Sequence, residues 1–197
     1  TMKHRIVQAI KQSLAVKRQL LEDAELIERI EAAARSCIHA FEQGSKVLLC
    51  GNGGSAADAQ HLAAELSGRF YFDRPPLYAE ALHVNSSFTT AVGNDYGFEA
   101  VFARMVEAAG REGDVLIALS TSGNSPNVLQ AIEAARRERM LVIGMSGENG
   151  GRMKGQCDHL LCAPSQDTPR IQECHILMGH IICELVERQL FTPRRTS

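Results

Sequence analysis

The chain has 197 residues, of which 45% are hydrophobic and 22% charged, and its formal net charge is −2. That length suits one domain with a single well-buried core, and the near-neutral balance gives no electrostatic case for nucleic acid or an anionic membrane. No apolar run approaches the roughly 18 residues of a bilayer span, and there is no signal-peptide h-region. Thr1, ahead of Met2, reads as a vestige of expression and carries no argument. The cysteines (Cys37, Cys50, Cys157, Cys162, Cys174 and Cys183) show no C-x-x-C spacing, and several sit in apolar runs such as "KVLLCG" and "HIICELV". They are expected to be buried free thiols, which points to a reducing cytoplasm.

The first 44 residues read as two helices: Ile6, Ile10 and Leu14 recur every four positions, and Leu26, Ile27, Ile30, Ala34 and Phe41 continue the helical period after Asp23. So much apolar surface must pack on the rest of the chain or on a partner subunit. From residue 45 to about 192, short apolar runs alternate with helices. "KVLLCG" (46–51) is the first strand and a helix follows over 55–67; "YAEALHV" (78–84) is the second strand and "DVLIALS" (114–120) the third. A helix follows over 126–137, then "MLVIGMS" (140–146), "HLLCAP" (159–164) and a last helix over 169–190, with Pro169 suited to its first turn. Continuous apolar strands separated by helices predict an α/β fold with a doubly wound, five-stranded parallel sheet of the flavodoxin-like kind and extra N-terminal helices. The "TPRRTS" tail reads as disordered.

In such sheets ligands bind beyond the carboxyl ends of the strands. Two loops lie there. "STSGNS" (120–125) follows the third strand and leads into a helix, offering the hydroxyls of Ser120, Thr121, Ser122 and Ser125 beside the free N–H groups of a helix start. It has no lysine and is not a Walker A loop. It is either a phosphate site or an N-capped turn without a ligand. "GNGGS" (51–55) follows the first strand; Ala56 occupies the place of the last glycine of a dinucleotide fingerprint, so close backbone approach to a sugar or phosphate, with Asn52 as a polar contact, fits better.

His61 and Glu65 project from one helix face, four residues apart, which suits either a surface ion pair or metal and proton chemistry. The last helix adds Gln172, His175 and His180; His180 stands among apolar residues, as a core histidine or a ligand would. Imidazole and carboxylate suit Zn²⁺, whereas a carboxamide oxygen is a rarer ligand.

Taken together, "GNGGSAADAQH…AEL", "VGNDYGFEAVF", "REGDVLIALSTSGNSPNV" and "RIQECH…GHI" resemble the phosphoheptose isomerases of the sugar isomerase (SIS) domain superfamily, over nearly the whole chain. The resemblance implies conversion of sedoheptulose 7-phosphate to D-glycero-D-manno-heptose 7-phosphate through an enediol(ate), the first step of heptose supply to lipopolysaccharide core or capsule. It also implies a cytoplasmic homotetramer with active sites between subunits and one Zn²⁺ per subunit. By position, the family's metal ligands fall on His61, Glu65, Gln172 and His180, and its acid–base pair on Glu65 and His180. Its substrate contacts fall on Asn52, Gly53 and Gly54, on Asn94 and Asp95, on Ser120, Thr121, Ser122 and Ser125, and on Glu65 and Gln172, with Ser55 and Arg69 as further phosphate or sugar contacts. The alternatives on the same fold are a non-catalytic protein that binds a sugar phosphate or a replication-initiator protein, and a sugar-phosphate lyase or etherase. The Glu65 and His180 pair favours the isomerase.

One geometric expectation follows from spacing. Gln172 and His180 are eight residues apart, a rise of about 12 Å on a straight helix. Both cannot reach one ion from such a helix, so either it bends near Gly179 or the ligands come from different subunits. The second reading is favoured here, with Glu65 and His180 on different chains and His61 and Glu65 completing a site at the interface.

Overall fold

The computed structural model describes residues 1–191; the "TPRRTS" tail lies outside the described residues. Two helices come first, α1 (Met2–Glu22) and α2 (Ala24–Glu42), separated by Asp23, whose carboxylate accepts a hydrogen bond from the Leu26 N–H and so caps α2. Then follow β1 (Val47–Cys50), α3 (Gly54–Ser67), β2 (Ala79–Ala81), α4 (Ser86–Tyr96), α5 (Val101–Ala109) and β3 (Val115–Leu119). The chain continues with α6 (Pro126–Arg137), β4 (Leu141–Ser146), β5 (His159–Cys162) and α7 (Thr168–Leu190). The strands form one all-parallel sheet in the order β2-β1-β3-β4-β5, the doubly wound arrangement expected from the alternating pattern.

Strand residues alternate between two cores. Val47, Leu49, Val115, Ile117, Leu119, Ile143 and Met145 face the layer of α2, α3 and α7, while Leu48, Cys50, Leu116, Ala118 and Val142 face α5 and α6. Burial on both faces is why these strands read as unbroken apolar runs rather than as alternating ones. Helix α2 belongs to the first core through Leu26, Ile30, Ala33, Ala34, Cys37 and Ala40. Helix α1 does not follow it: only Leu20 is buried, and Ile6, Ile10 and Leu14 stay exposed.

Two details differ from the sequence expectation. The second strand is three residues long rather than seven, because beyond Ala81 the chain turns toward Asn85, whose side chain accepts from the Phe88 N–H and starts α4. Helices α4 and α5 escaped the sequence reading. The first carries Thr89, Thr90 and Gly93, poor helix formers, and buries only Val92, while the second is nine residues long. Among the described residues all cysteines are free, and burial pushes the Cys37 thiol up to about 12. No helix of the described residues is long and apolar enough to cross a membrane.

Candidate active site

The strand order reverses between β1 and β3, so the loops that follow them part and leave a crevice at their carboxyl ends. Both loops singled out from sequence lie at that point. Asn52 and Asn127, the latter in the first turn of α6, hold them together by reciprocal amide hydrogen bonds of 2.8 Å each. Asn127 is buried and was missed in the sequence, where a polar residue in a helix start reads as solvent-facing.

In the second loop Ser120 is buried and its Oγ lies 2.8 Å from Ser125 Oγ and 3.5 Å from Ser122 Oγ. The Ser125 N–H donates to Ser120 Oγ, and the Asn124 N–H to Ser122 Oγ. Hydroxyls thus converge on the start of α6, whose first N–H groups and positive dipole end favour an anion. In the first loop Gly53 has φ +55, a left-handed turn that side chains disfavour, and it leads directly into α3. Ser55 is buried in the first turn of α3.

Helix α3 carries His61 and Glu65 away from this crevice, and α7 runs alongside it. His61 Nε2 lies 2.9 Å from His180 Nε2 and 3.3 Å from Glu65 Oε1, and one ligand atom from each of His61, Glu65 and His180 falls within 4.8 Å of the others. The approach depends on Gly179: a Cβ there would meet Leu62 Cδ1 at 2.4 Å, so a larger residue would push the helices apart. Burial first, then the neighbouring His61, hold the His180 pKa below its ordinary value, while Glu65 pulls the other way. Two imidazole nitrogens facing each other beside a carboxylate form a donor set of the kind that holds Zn²⁺.

The three residues come together within one chain, so, contrary to the expectation from spacing, their meeting does not need Glu65 and His180 from different subunits. Nor does α7 break near Gly179; it is one continuous helix from Thr168 to Leu190, and the glycine serves close packing instead. Gln172 stands near the start of α7. Its amide lies against Gly54, where a Cβ would meet Gln172 Nε2 at 2.5 Å, two helical turns from His180. It therefore borders the crevice loop. Asn94 and Asp95 are exposed near the end of α4, and among the described residues their side chains bond only each other. Thr121 is half-buried and Arg69 exposed.

A family model described as SIS domain matches residues 10–147. Phosphoheptose isomerase 2 of Campylobacter jejuni is 54% identical over 179 residues, covering 91% of this chain and 89% of that protein. The chain belongs to the phosphoheptose isomerases of the SIS domain family. Solved structures agree with that membership: the phosphoheptose isomerase of Neisseria gonorrhoeae superposes with a TM-score of 0.90 at 42% identity, covering 95% of this chain and 100% of that one. That of Francisella tularensis superposes with a TM-score of 0.91 at 38% identity, covering 95% and 99%. In this phosphoheptose isomerase the serine loop and the Asn52 loop lie at the switch point of the sheet, and the histidine–carboxylate cluster lies between α3 and α7.

Proposed function

We propose that the chain is an aldose–ketose isomerase that converts D-sedoheptulose 7-phosphate to D-glycero-D-manno-heptose 7-phosphate, supplying heptose for lipopolysaccharide core or capsule in the cytoplasm. The observation that carries this reading is the His61, Glu65 and His180 cluster, built from α3 and α7 of a protomer whose serine loop sits at the switch point of the sheet.

The reaction moves one proton from C1 to C2 and exchanges protons between the two oxygens. Glu65 is the base: its carboxylate takes the C1 proton, leaving an enediol, and returns it to C2. His180 donates to the C2 carbonyl oxygen and accepts from the C1 hydroxyl. Burial and His61 lower its pKa and so favour the neutral ring, which carries one donor and one acceptor nitrogen. Ser120, Ser122 and Ser125 hold the phosphate with the helix start behind them. Asn52, Gly53, Gly54, Ser55 and Gln172 border the sugar chain, and Arg69, Asn94, Asp95 and Thr121 complete the contacts. His61, Glu65 and His180 would hold a Zn²⁺ ion, with Gln172 at the crevice end as a weaker candidate. When bound there, such an ion would supply positive charge to polarise the substrate carbonyl.

The protein acts as a homotetramer in this reading. The exposed Ile6, Ile10 and Leu14 on α1 and a groove of about 970 Å³ lined by Leu20, Leu21, Ile27, Ile38, Ile181 and Leu185 support it, because each is an apolar surface that water disfavours. The test is incubation with sedoheptulose 7-phosphate, followed by NMR for the aldoheptose phosphate, with metal analysis and molecular-mass measurement on the same sample. Absence of product would overturn the reading.

A further inference from the structure

A buried ion pair stands behind the cluster and takes no part in the chemistry above. Arg74 and Glu187 pair at 2.9 Å with side chains 2% and 1% exposed. Glu187 also accepts from three consecutive N–H groups, those of Phe70 (2.8 Å), Tyr71 (2.7 Å) and Phe72 (3.3 Å). Arg74 donates to the carbonyls of Glu65 (2.8 Å), Leu66 (2.7 Å), Gly68 and Pro75 (3.1 Å each). The acceptors at Glu65, Leu66 and Gly68 lie in or just after the last turn of α3, where carbonyls lack helical partners. Burial would raise the Glu187 carboxyl, but the N–H bonds and Arg74 outweigh it and hold the carboxyl below its ordinary value. The segment 68–74 is thereby strapped to α7, and its Phe70 ring lies 5.6 Å from the His180 ring, tilted by 42°.

Resting on the isomerase reading, we propose that Arg74 and Glu187 are positioning residues: together they hold the α3 turn that carries Glu65 and press Phe70 against His180, so that base and acid keep one relative arrangement. By satisfying the last carbonyls of α3 the pair also fixes the turn from which the Glu65 side chain projects, and through the Phe70 N–H it fixes the segment whose ring meets His180. Displacements on the order of 1 Å can cost about 10²-fold in rate, so a strap of this kind matters to turnover.

The experiment compares Glu187→Gln and Arg74→Lys with Asp114→Asn. Asp114, just before β3, is also a buried carboxylate, and its side chain bonds Lys46 and the Arg111 N–H rather than α3, α7 or segment 68–74. All are assayed well below their melting temperatures. Glu187→Gln and Arg74→Lys are expected to lower kcat by about tenfold or more with little change in KM, because the serine loop is untouched. The ring-current shift of the His180 ring protons is expected to change in metal-free protein. Asp114→Asn is expected to lower the melting temperature and keep kcat. Should Glu187→Gln fail to fold, Phe70→Leu tests the same contact through kcat. The proposal is overturned if the folded Glu187→Gln and Arg74→Lys variants keep the wild-type kcat and His180 signals, or if kcat falls equally in Asp114→Asn. If the wild-type chain does not turn over sedoheptulose 7-phosphate, the isomerase reading fails, and the His180 signals still decide the positioning.

Discussion

His61 and His180 face each other from α3 and α7 with their Nε2 atoms 2.9 Å apart, inside one chain. Since both nitrogens cannot donate to each other at that distance, one must be an acceptor, and the pair is poised either for a shared proton or for a shared cation.

That relationship makes a subunit-mixing experiment decisive. Inactive Glu65→Gln and inactive His180→Ala proteins, mixed and allowed to exchange, are expected to stay inactive, since every protomer lacks one member of its own cluster. Native mass spectrometry verifies the exchange, and recovered activity would show that the two residues act across an interface.

Glu65→Gln alone is expected to cut turnover by about 10²-fold or more while leaving the circular dichroism spectrum and the oligomer unchanged. The change is nearly isosteric and removes only the basic oxygen. Near-normal turnover would remove Glu65 from the base role.

Gly179→Ala tests the helix contact. The new methyl would overlap Leu62, which is 1% exposed and has little room to move, so stability should fall by about 1–3 kcal/mol and activity with it. Adding Leu62→Ala should recover part of the activity by restoring the α3–α7 spacing, even though it opens a cavity. Chemical denaturation and rates on both proteins measure this, and an additive double mutant would argue against the contact.

Removing a hydroxyl from the serine loop, as in Ser120→Ala, should weaken phosphate binding by roughly 0.5–1.5 kcal/mol, and by more if a charged oxygen is left unpaired. Calorimetry with a phosphorylated sugar and its dephosphorylated analogue separates the cases, because only the first should lose affinity. Equal losses would mean that the loop serves another purpose.

Stability should also depend on pH through His175. It is fully buried, its Nε2 donates to the Ser146 carbonyl at 2.9 Å, and burial pushes its pKa from 6.5 to about 4 against the opposing effect of that bond. The folded ring is therefore neutral where the unfolded ring takes up a proton. Its contribution is intact above pH 6.5 and is lost as pH falls from there toward 4, with a slope of up to about 1.4 kcal/mol per unit. Denaturation across that window measures it, and His175→Gln should flatten the slope. The depressed Glu187 carboxyl acts lower, below its ordinary 4.5, and does not mask the histidine.

The α/β class, all five strands and the two crevice loops were legible because each is a local signal. A strand buried on both faces must be apolar throughout, and glycines and hydroxyls directly after a strand mark a turn into a helix start. The types of the cluster residues were legible for the same reason, since His61 and Glu65 share a helix face by spacing alone. Their union with His180 was not, because it depends on the distance between α3 and α7, which Gly179 and Leu62 set by contact across more than a hundred residues of chain. Spacing along α7 suggested a site divided between subunits; packing put His180 beside His61 and left Gln172 against Gly54. Glu187 shows the limit most plainly. In the sequence it is one acidic residue near the end of an amphipathic helix, and only the return of segment 70–74 supplies the donors that let a charged group lie fully buried.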